Sequence, residues 1–227
     1  MRTVSWSRIK TWRRCHKQHD YKYNQKLQRK KKSVPMVRGS IFGEMLDARA
    51  SASTPGGKVK SPIAVLRKYT KEYGKLFLEQ REMYGDIPND IRRLFEGYER
   101  KYANDTLQYL SIEEFIAIDV GRDIRFIGYT DKRVKDAHGL HFLMDHKTHK
   151  IIPNDDQRFS DLQNVFYIYA WNETNKSRPV QGFIWDYIRT KPPTVPETLK
   201  NGELTQRANI DTDYWTYLSE IRRLRLD

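Results

Sequence analysis

Two acidic residues and one lysine in the middle of the sequence have the types and spacing of a hydrolytic site. Asp145 and Lys147 are two residues apart in the segment LHFLMDHKTHK, and Asp131 lies in the preceding segment FIGYTDKRV. Side chains alternate between the faces of a β-strand, so Asp145 and Lys147 point to the same side. Asp131 joins them if the two segments pair as a hairpin in matching register.

Such a cluster contains the parts that metal-assisted hydrolysis of a phosphodiester requires. Two neighbouring carboxylates repel each other unless a proton or a cation lies between them, and Mg²⁺ and Mn²⁺ prefer oxygen ligands. A nearby lysine orients the attacking water, holds the scissile phosphate or assists deprotonation. The alternative is a surface hairpin whose charges serve only solubility.

The segments that must position these residues read as an α/β core. Three consecutive antiparallel strands, one helix and one further strand are predicted at 113–120, 123–134, 140–148, 159–173 and 180–190. On the helix, Gln163 and Tyr167 are four residues apart and face the same way. The order predicts a mixed central sheet flanked by helices.

The rest of the chain reads as helices around this core. Helices are predicted at 5–14, after Pro35, at 62–83, at 90–103 and at 212–225. Trp6, Ile9 and Trp12 are expected to share a buried face of the first. We expect one domain over 1–227, divided into basic N-terminal helices (1–50), a helical insertion (50–108), the core (109–190) and a C-terminal loop and helix (191–227).

The charge distribution predicts a polyanionic partner, with DNA as the first candidate. The chain of 227 residues has a net charge of +13, and residues 1–50 hold fourteen bases and three acids. Binding of phosphates by such a segment releases counterions without any readout of base sequence. A basic face that serves only solubility is the alternative. The run at 29–33 is expected to be exposed.

Several function classes are excluded by the composition. No run approaches the ~20 apolar residues of a membrane helix, and the N-terminus lacks the apolar centre of a signal peptide, so a cytoplasmic protein is expected. Cys15 is the single cysteine. A single cysteine excludes an intrachain disulfide, an all-cysteine zinc site and an iron–sulfur cluster held by four cysteines of this chain.

Taken together, the motifs resemble the RecB-like branch of the PD-(D/E)XK nuclease superfamily. They are G-x-x-D-x-x-V around Asp131, D-x-K-T from Asp145, and Q-x-x-x-Y from Gln163. The opening SWSRIKTWRRC and the segment RGSIFGEMLD resemble the first two helices of that branch. The tail from YIRTKPP to DTDYW is similar to tailed-phage exonucleases. Only about 50–108 lies outside the resemblance.

The resemblance implies a restriction-endonuclease-like core and a role for each motif residue. Asp131 and Asp145 would bind Mg²⁺ or Mn²⁺ together with the main-chain carbonyl of His146, and Lys147 would be the catalytic lysine. Gln163 and Tyr167 would line the site. The implied activity is cleavage of DNA, as an exonuclease in recombination or end processing, with a recombinase or a single-strand-binding protein as a candidate partner.

One departure from the family concerns the metal. Many relatives carry a metal-binding histidine at the position of Gly43, and glycine has no ligating side chain. Glu44 and Asp47 are the candidate replacements, at roughly 100° and 40° around the helix from position 43. The alternative function is therefore a DNA-binding protein that retains the nuclease fold with little or no catalysis.

Overall fold

Helices and strands follow one another in the order predicted for an α/β fold. The computed structural model describes residues 1–27, 32–57 and 60–226. The elements are β1 (Arg2–Val4), α1 (Trp6–Arg14), α2 (His16–His19), α3 (Val34–Ser51), α4 (Pro62–Gly74), α5 (Leu78–Tyr84), α6 (Ile87–Lys101), β2 (Gln108–Gly121), β3 (Ile124–Lys135), β4 (His141–His149), α7 (Asp155–Phe159), α8 (Gln163–Thr174), β5 (Gly182–Arg189) and α9 (Tyr214–Leu224). Of the predicted exposed run at 29–33, residues 29–31 lie outside the described residues.

Within the described chain, five strands form one mixed sheet. Its order is β1-β3-β4-β5, and β2 also pairs with β3. β2, β3 and β4 are antiparallel neighbours, as the sequence predicts, whereas β1 pairs with β3 in parallel. The N–H of Gln181 donates to His141 O and the N–H of Thr190 donates to His149 O, so β5 runs parallel to β4. The sequence did not predict β1, because three residues are too few to show a period.

Individual residues explain where α1 begins and where two other helices differ from the prediction. The Ser5 side chain accepts from Arg8 N–H at the start of α1. The helix predicted at 62–83 ends at Gly74 and resumes at Leu78, because glycine is a poor helix former. The helix predicted at 159–173 begins only at Gln163, whose N–H is bound by the carboxylate of Asp161, and the short helix α7 before it was not predicted.

Apolar side chains cover both faces of the sheet around β3 and β4. One core cluster joins Leu143 of β4 to α1 and α8, and the other joins Met144 to β2 and to the end of α3. Leu143 and Met144 are consecutive residues and are 0% and 2% exposed, so both faces of β4 are buried at this point. α8 and α3 therefore lie on opposite faces of the strand that carries Asp145.

The chain divides into two compact units. The first comprises Met1–Lys147 and Asn154–Tyr187, and it contains both core clusters. The second comprises Thr148–Pro153 and Ile188–Asp227. Within the second unit, Asp211 accepts from Lys191 at 2.6 Å and is ion-paired with Arg189, and these two hydrogen bonds lower the pKa of Asp211 to about 2. The predicted single nuclease domain over 1–227 stays a prediction.

The exposure of Trp12 corrects one expectation about α1. Trp6 is 5% exposed and belongs to the core, but Trp12 is 52% exposed. Two three-residue steps along an α-helix rotate the side chain about 120° away from its starting direction, so these two residues do not share a face.

Among the helices of residues 1–27, 32–57 and 60–226, none has the length and apolar character needed to span a membrane.

Replacement of Phe42 by alanine should strongly destabilise the fold. Phe42 is 0% exposed and its ring lies edge-on to Phe95 and Tyr98, with centroid distances of 6.4 and 6.0 Å. We expect Phe42→Ala to lower the free energy of unfolding in urea by about 3–5 kcal/mol, because it leaves a cavity. The matched control is Phe77→Ala, since Phe77 is 78% exposed. Equal losses in the two variants would contradict the assignment of Phe42 to the core.

Candidate active site

The structure brings together the two acids that the sequence places on neighbouring strands. The pairing of β3 with β4 ends at Lys132 opposite Met144, so Asp131 and Asp145 follow at the point where the strands separate. Asp131 Oδ2 accepts from the N–H of His146 at 3.1 Å, and its negative charge acts on the neighbouring carboxyl group of Asp145. The side chain of Asp145 is 5% exposed. Two carboxyl groups thus meet where water has little access.

Burial and charge repulsion shift the ionisation of Asp145. Burial disfavours its charged form, and the negative charge of Asp131 acts in the same direction. Lys147 opposes both effects through an ion pair, yet the pKa of Asp145 is raised to about 7. The ionised pair is therefore unfavourable unless a cation joins it.

The ammonium group of Lys147 lies at the edge of this pair. It forms an ion pair with Asp145 Oδ2, and its Nζ lies 5.4 Å from the ring centroid of Trp185. The side chain of Lys147 is 33% exposed, so the ammonium group contacts both the buried acid and solvent. A lysine in this position can leave the carboxylate for an incoming phosphate.

Gln163 and Tyr167 approach the acids from α8. Gln163 is the first residue of the helix, and its Nε2 lies 3.5 Å from Asp145 Oδ1. Burial, with the charges of Asp145 and Asp131, raises the pKa of Tyr167 to about 12, so its hydroxyl stays protonated. A Cβ at Gly128 would lie 3.0 Å from the Tyr167 hydroxyl. A larger residue at position 128 would therefore crowd this ring.

A hydrogen-bonded chain behind β4 holds the peptide that contacts Asp131. His146 Nδ1 lies 2.9 Å from Asp186 Oδ2, and the hydroxyl of Tyr102 donates to Asp186 Oδ1 at 2.6 Å. Burial opposes ionisation of Asp186, but the hydrogen bonds from His146 and Tyr102 outweigh it and lower its pKa. Burial lowers the pKa of His146. The chain fixes the ring of His146, and with it the N–H that binds Asp131.

Sequence reasoning missed Asp186 and Tyr102. Asp186 is the single acid in the strand segment GFIWDYIR, which is a signal that could have indicated a buried partner. Tyr102 lies at the C-terminal cap of α6, and nothing in its local sequence separates it from the other tyrosines. Its hydrogen bond to Asp186 joins residues 84 positions apart, so only the fold reveals it.

The two candidate third ligands have other partners. Lys132 is 1% exposed, and its Nζ lies 2.8 Å from Asp47 Oδ1. Glu44 accepts from the hydroxyl of Tyr69 at 2.7 Å and lies 3.7 Å from Lys68 Nζ. Within residues 1–27, 32–57 and 60–226, no group of three or more His, Cys, Asp and Glu side chains is placed to hold a metal ion. A role for Glu44 or Asp47 as ligand stays a prediction.

The residues that are present nevertheless fit a hard divalent cation. Mg²⁺ is commonly held by one or two carboxylates, with water and substrate phosphates completing its coordination. Asp131 and Asp145 supply two carboxylates, and the raised pKa of Asp145 reports the negative charge that a cation would neutralise. The main-chain carbonyl of His146 is the predicted additional ligand.

Comparison with known proteins shows the family. The model of the PD-(D/E)XK nuclease superfamily matches residues 3–225, so the chain belongs to this superfamily and the predicted restriction-endonuclease-like fold is confirmed. A crystal structure of a candidate exonuclease from Eubacterium rectale is similar in fold, with a TM-score of 0.55 and 13% sequence identity. The similarity covers 99% of this chain and 78% of that chain. No curated protein sequence matches the chain. The narrower resemblance to the RecB-like branch and to phage exonucleases stays a prediction.

Replacement of Asp145 by asparagine should stabilise the metal-free protein at neutral and alkaline pH. In the folded state Asp145 keeps its proton up to about pH 7, whereas its ordinary pKa is 3.8. Stability is therefore lost as the pH rises from the ordinary value towards 7, because ionisation then costs more in the folded than in the unfolded chain. We expect Asp145→Asn to melt at least ~2–4 °C higher than the wild type in EDTA at about pH 8.

The difference in melting temperature between Asp145→Asn and the wild type should shrink as the pH approaches the ordinary pKa of Asp145. Its carboxyl group is then protonated in both the folded and the unfolded state. Asp155→Asn is the matched control, since the side chain of Asp155 is 77% exposed. A melting temperature of Asp145→Asn at or below that of the wild type at alkaline pH would contradict the repulsion described above.

Replacement of Asp47 by alanine should leave Lys132 as an unpaired buried charge. We expect the free energy of unfolding to fall by about 3 kcal/mol, because removal of one partner of a buried pair leaves the other without compensation. The double variant Asp47→Leu with Lys132→Met should recover most of the loss. Glu44→Ala is the control and should cost about 1 kcal/mol or less, because its partner Lys68 is 56% exposed. A small effect of Asp47→Ala would show that the ion pair contributes little.

Proposed function

We propose that the protein is a metal-dependent DNA nuclease, and more narrowly an exonuclease of DNA end processing or recombination. The observation that carries this proposal is the convergence of Asp131, Asp145 and Lys147. The negative charge of Asp131 raises the pKa of Asp145, and the lysine is ion-paired with Asp145. Membership of the PD-(D/E)XK nuclease superfamily supports the reaction class.

Each side chain of the site has a task in phosphodiester hydrolysis. Asp131 and Asp145 would hold Mg²⁺ or Mn²⁺, which when bound supplies an acidified water and neutralises charge on the phosphate. Lys147 can exchange its ion pair with Asp145 for a phosphate oxygen, because its ammonium group also faces solvent. Tyr167 keeps its proton and so donates a hydrogen bond rather than accepting a proton.

The surrounding residues keep these groups in place. The amide of Gln163 lies beside Asp145, and the N–H of His146 holds the carboxylate of Asp131. His146 in turn is held through its ring by Asp186. These contacts leave the acids few orientations, which favours a site organised before substrate binds.

DNA is the proposed substrate because of the charge on the N-terminal segment. Residues 1–50 carry fourteen bases and three acids, and α1 belongs to the same compact unit as the three site residues. Phosphate contacts by this segment would make binding tolerant of base sequence and sensitive to salt.

No third ligand is assembled among the described residues, which favours a second candidate function, a DNA-binding protein with weak or no catalysis. An ideal Cβ at Gly43 would meet nothing within 4 Å, so packing does not require glycine at the position where relatives carry histidine. Both nearby acids are engaged elsewhere, Glu44 by Tyr69 and Asp47 by Lys132. Metal binding by two carboxylates is expected to be weaker than by three ligands.

A cleavage assay with linear and circular DNA tests the proposal. The protein is incubated with each duplex in Mg²⁺ or Mn²⁺, and nucleotide release is followed over time. We expect metal-dependent loss of the linear DNA, and we expect Lys147→Ala to slow it by about 100-fold or more. The control is Lys176→Ala, because the side chain of Lys176 is 77% exposed on the surface.

The results of this assay separate the candidates. Cleavage of the circle at the same rate as the linear duplex would contradict the exonuclease assignment and indicate an endonuclease. Binding of DNA without cleavage in either metal would contradict the nuclease proposal and support the second candidate. Full activity of Lys147→Ala would contradict the role given to that lysine.

A further inference from the structure

A basic groove lies beside α1 and the residues that connect α7 to α8. Its volume is about 520 Å³, and its walls come from α1, from the segment after it, and from Gln157, Ser160 and Asp161. Four cationic side chains line it, namely Lys10, Arg13, Arg14 and Lys22. Asp161 is the single acid among the lining residues of the described chain. The groove is therefore suited to an anionic ligand.

Asp161 joins this groove to the candidate active site. Its carboxylate accepts from Trp6 Nε1 at 3.2 Å and from Lys10 Nζ at 2.9 Å on the α1 side. It also accepts from the N–H of Gln163, the residue whose side chain approaches Asp145. Burial opposes the ionisation of Asp161, but its contacts with Lys10 and Gln163, and the charge of Lys147, lower its pKa. Asp161, which lines the groove, is thus hydrogen-bonded to the start of α8, where Gln163 approaches Asp145.

The pairing of Lys10 with Asp161 decides which cations face a ligand. Lys10 is already neutralised by the carboxylate, whereas Arg13, Arg14 and Lys22 are exposed. Arg14 donates to the side chain of Gln18 at 2.7 Å, and an amide leaves its positive charge uncompensated. Considering only the described part of the chain, three cations of the groove therefore lack a neutralising partner and remain for anionic groups.

Exposed aromatic rings lie on the same segment, outside the lining of the groove. Trp12 is 52% exposed and stacks on the ring of His16 at a centroid distance of 4.5 Å. Tyr21 is 44% exposed, and Lys17 Nζ lies 4.9 Å from its ring centroid. Cations interleaved with exposed aromatic rings are typical of surfaces that bind single-stranded nucleic acid, where phosphates meet the charges and unpaired bases stack on the rings.

We propose that this groove binds the backbone of a single-stranded DNA end and directs it towards Asp131, Asp145 and Lys147. The proposal rests on the proposed nuclease function and specifies its substrate. A groove of this volume matches a ligand of nucleotide size. A duplex would contact only the rim of the groove, because its two paired strands form one rigid body and its bases are stacked inside it. A single strand is narrow enough to enter and presents its bases for stacking.

Binding measurements on an inactive protein test this proposal without any need for cleavage. Fluorescence anisotropy is recorded for labelled oligothymidylate and for a blunt duplex of equal length, with Lys147→Ala in EDTA as the parent protein. Arg13→Ala with Arg14→Ala is added to remove two groove cations. The matched control is Arg67→Ala with Lys71→Ala, which removes two cations from a separate groove of about 570 Å³ beside α4. Thermal melting checks that each variant is folded.

We expect the groove variant to bind the single strand roughly 10-fold more weakly, and the slope of log K against log salt to become shallower by about 1.4. Duplex binding should change much less, and the control variant should bind like the parent.

Equal weakening by the groove and control variants would overturn the proposal, because net charge alone would then explain binding. Equal weakening for the duplex and the single strand would overturn the assignment of the substrate as single-stranded. Selective loss of single-strand binding in a protein that shows no cleavage in either metal would support the groove and refute only the nuclease function.

Discussion

Repulsion between the carboxylates of Asp131 and Asp145, where little water reaches them, is the interaction around which the rest of this site is organised. The pKa of Asp145 is raised to about 7 because burial and the neighbouring charge act together. The surroundings supply only partial compensation, from the ammonium group of Lys147 and the N–H of His146. A divalent cation between the two acids would relieve this repulsion, and the proposed metal site rests on that argument.

Side chains on both faces of β4 help to position Asp131 and Asp145. One face of β4 carries Leu143, Asp145 and Lys147, at intervals of two residues. The first of them packs in the core, and the other two belong to the candidate active site. On the other face, Met144 packs in the second core cluster and His146 is bound by Asp186. The strand is thus anchored from behind at the residue between the acid and the lysine.

The two acids nearest Gly43 in sequence are both bound by other side chains. Asp47 neutralises the buried ammonium group of Lys132, which adjoins Asp131 in sequence, and Glu44 binds Tyr69 of α4. Both acids therefore contribute to packing of α3 in the structure. Because Glu44 and Asp47 already have partners, two candidate functions must be distinguished by experiment. One is a nuclease with two metal-binding carboxylates, and the other is a DNA-binding protein of the same fold.

The sequence alone predicted most of the elements, the superfamily, and the acids and lysine of the candidate site, but not Asp186 or Tyr102. Local patterns were sufficient for this, because alternation and helical spacing report which face of an element is buried, and the motifs around Asp131, Asp145 and Gln163 are short and ordered. The same patterns were insufficient at Trp12, where helical geometry rotates the ring into solvent, and at β1, which is too short to show a period.

Tertiary structure alone decided which side chains meet. Register along β3 and β4 set the contact of Asp131 with Asp145, and a one-residue slip would have placed them on opposite faces. The partners of His146 and Lys132 come from segments 40 and 85 residues away, and local sequence carries no signal for contacts at such separations. The ionisation of Asp145 follows from burial and from these contacts, so it too is a property of the folded chain.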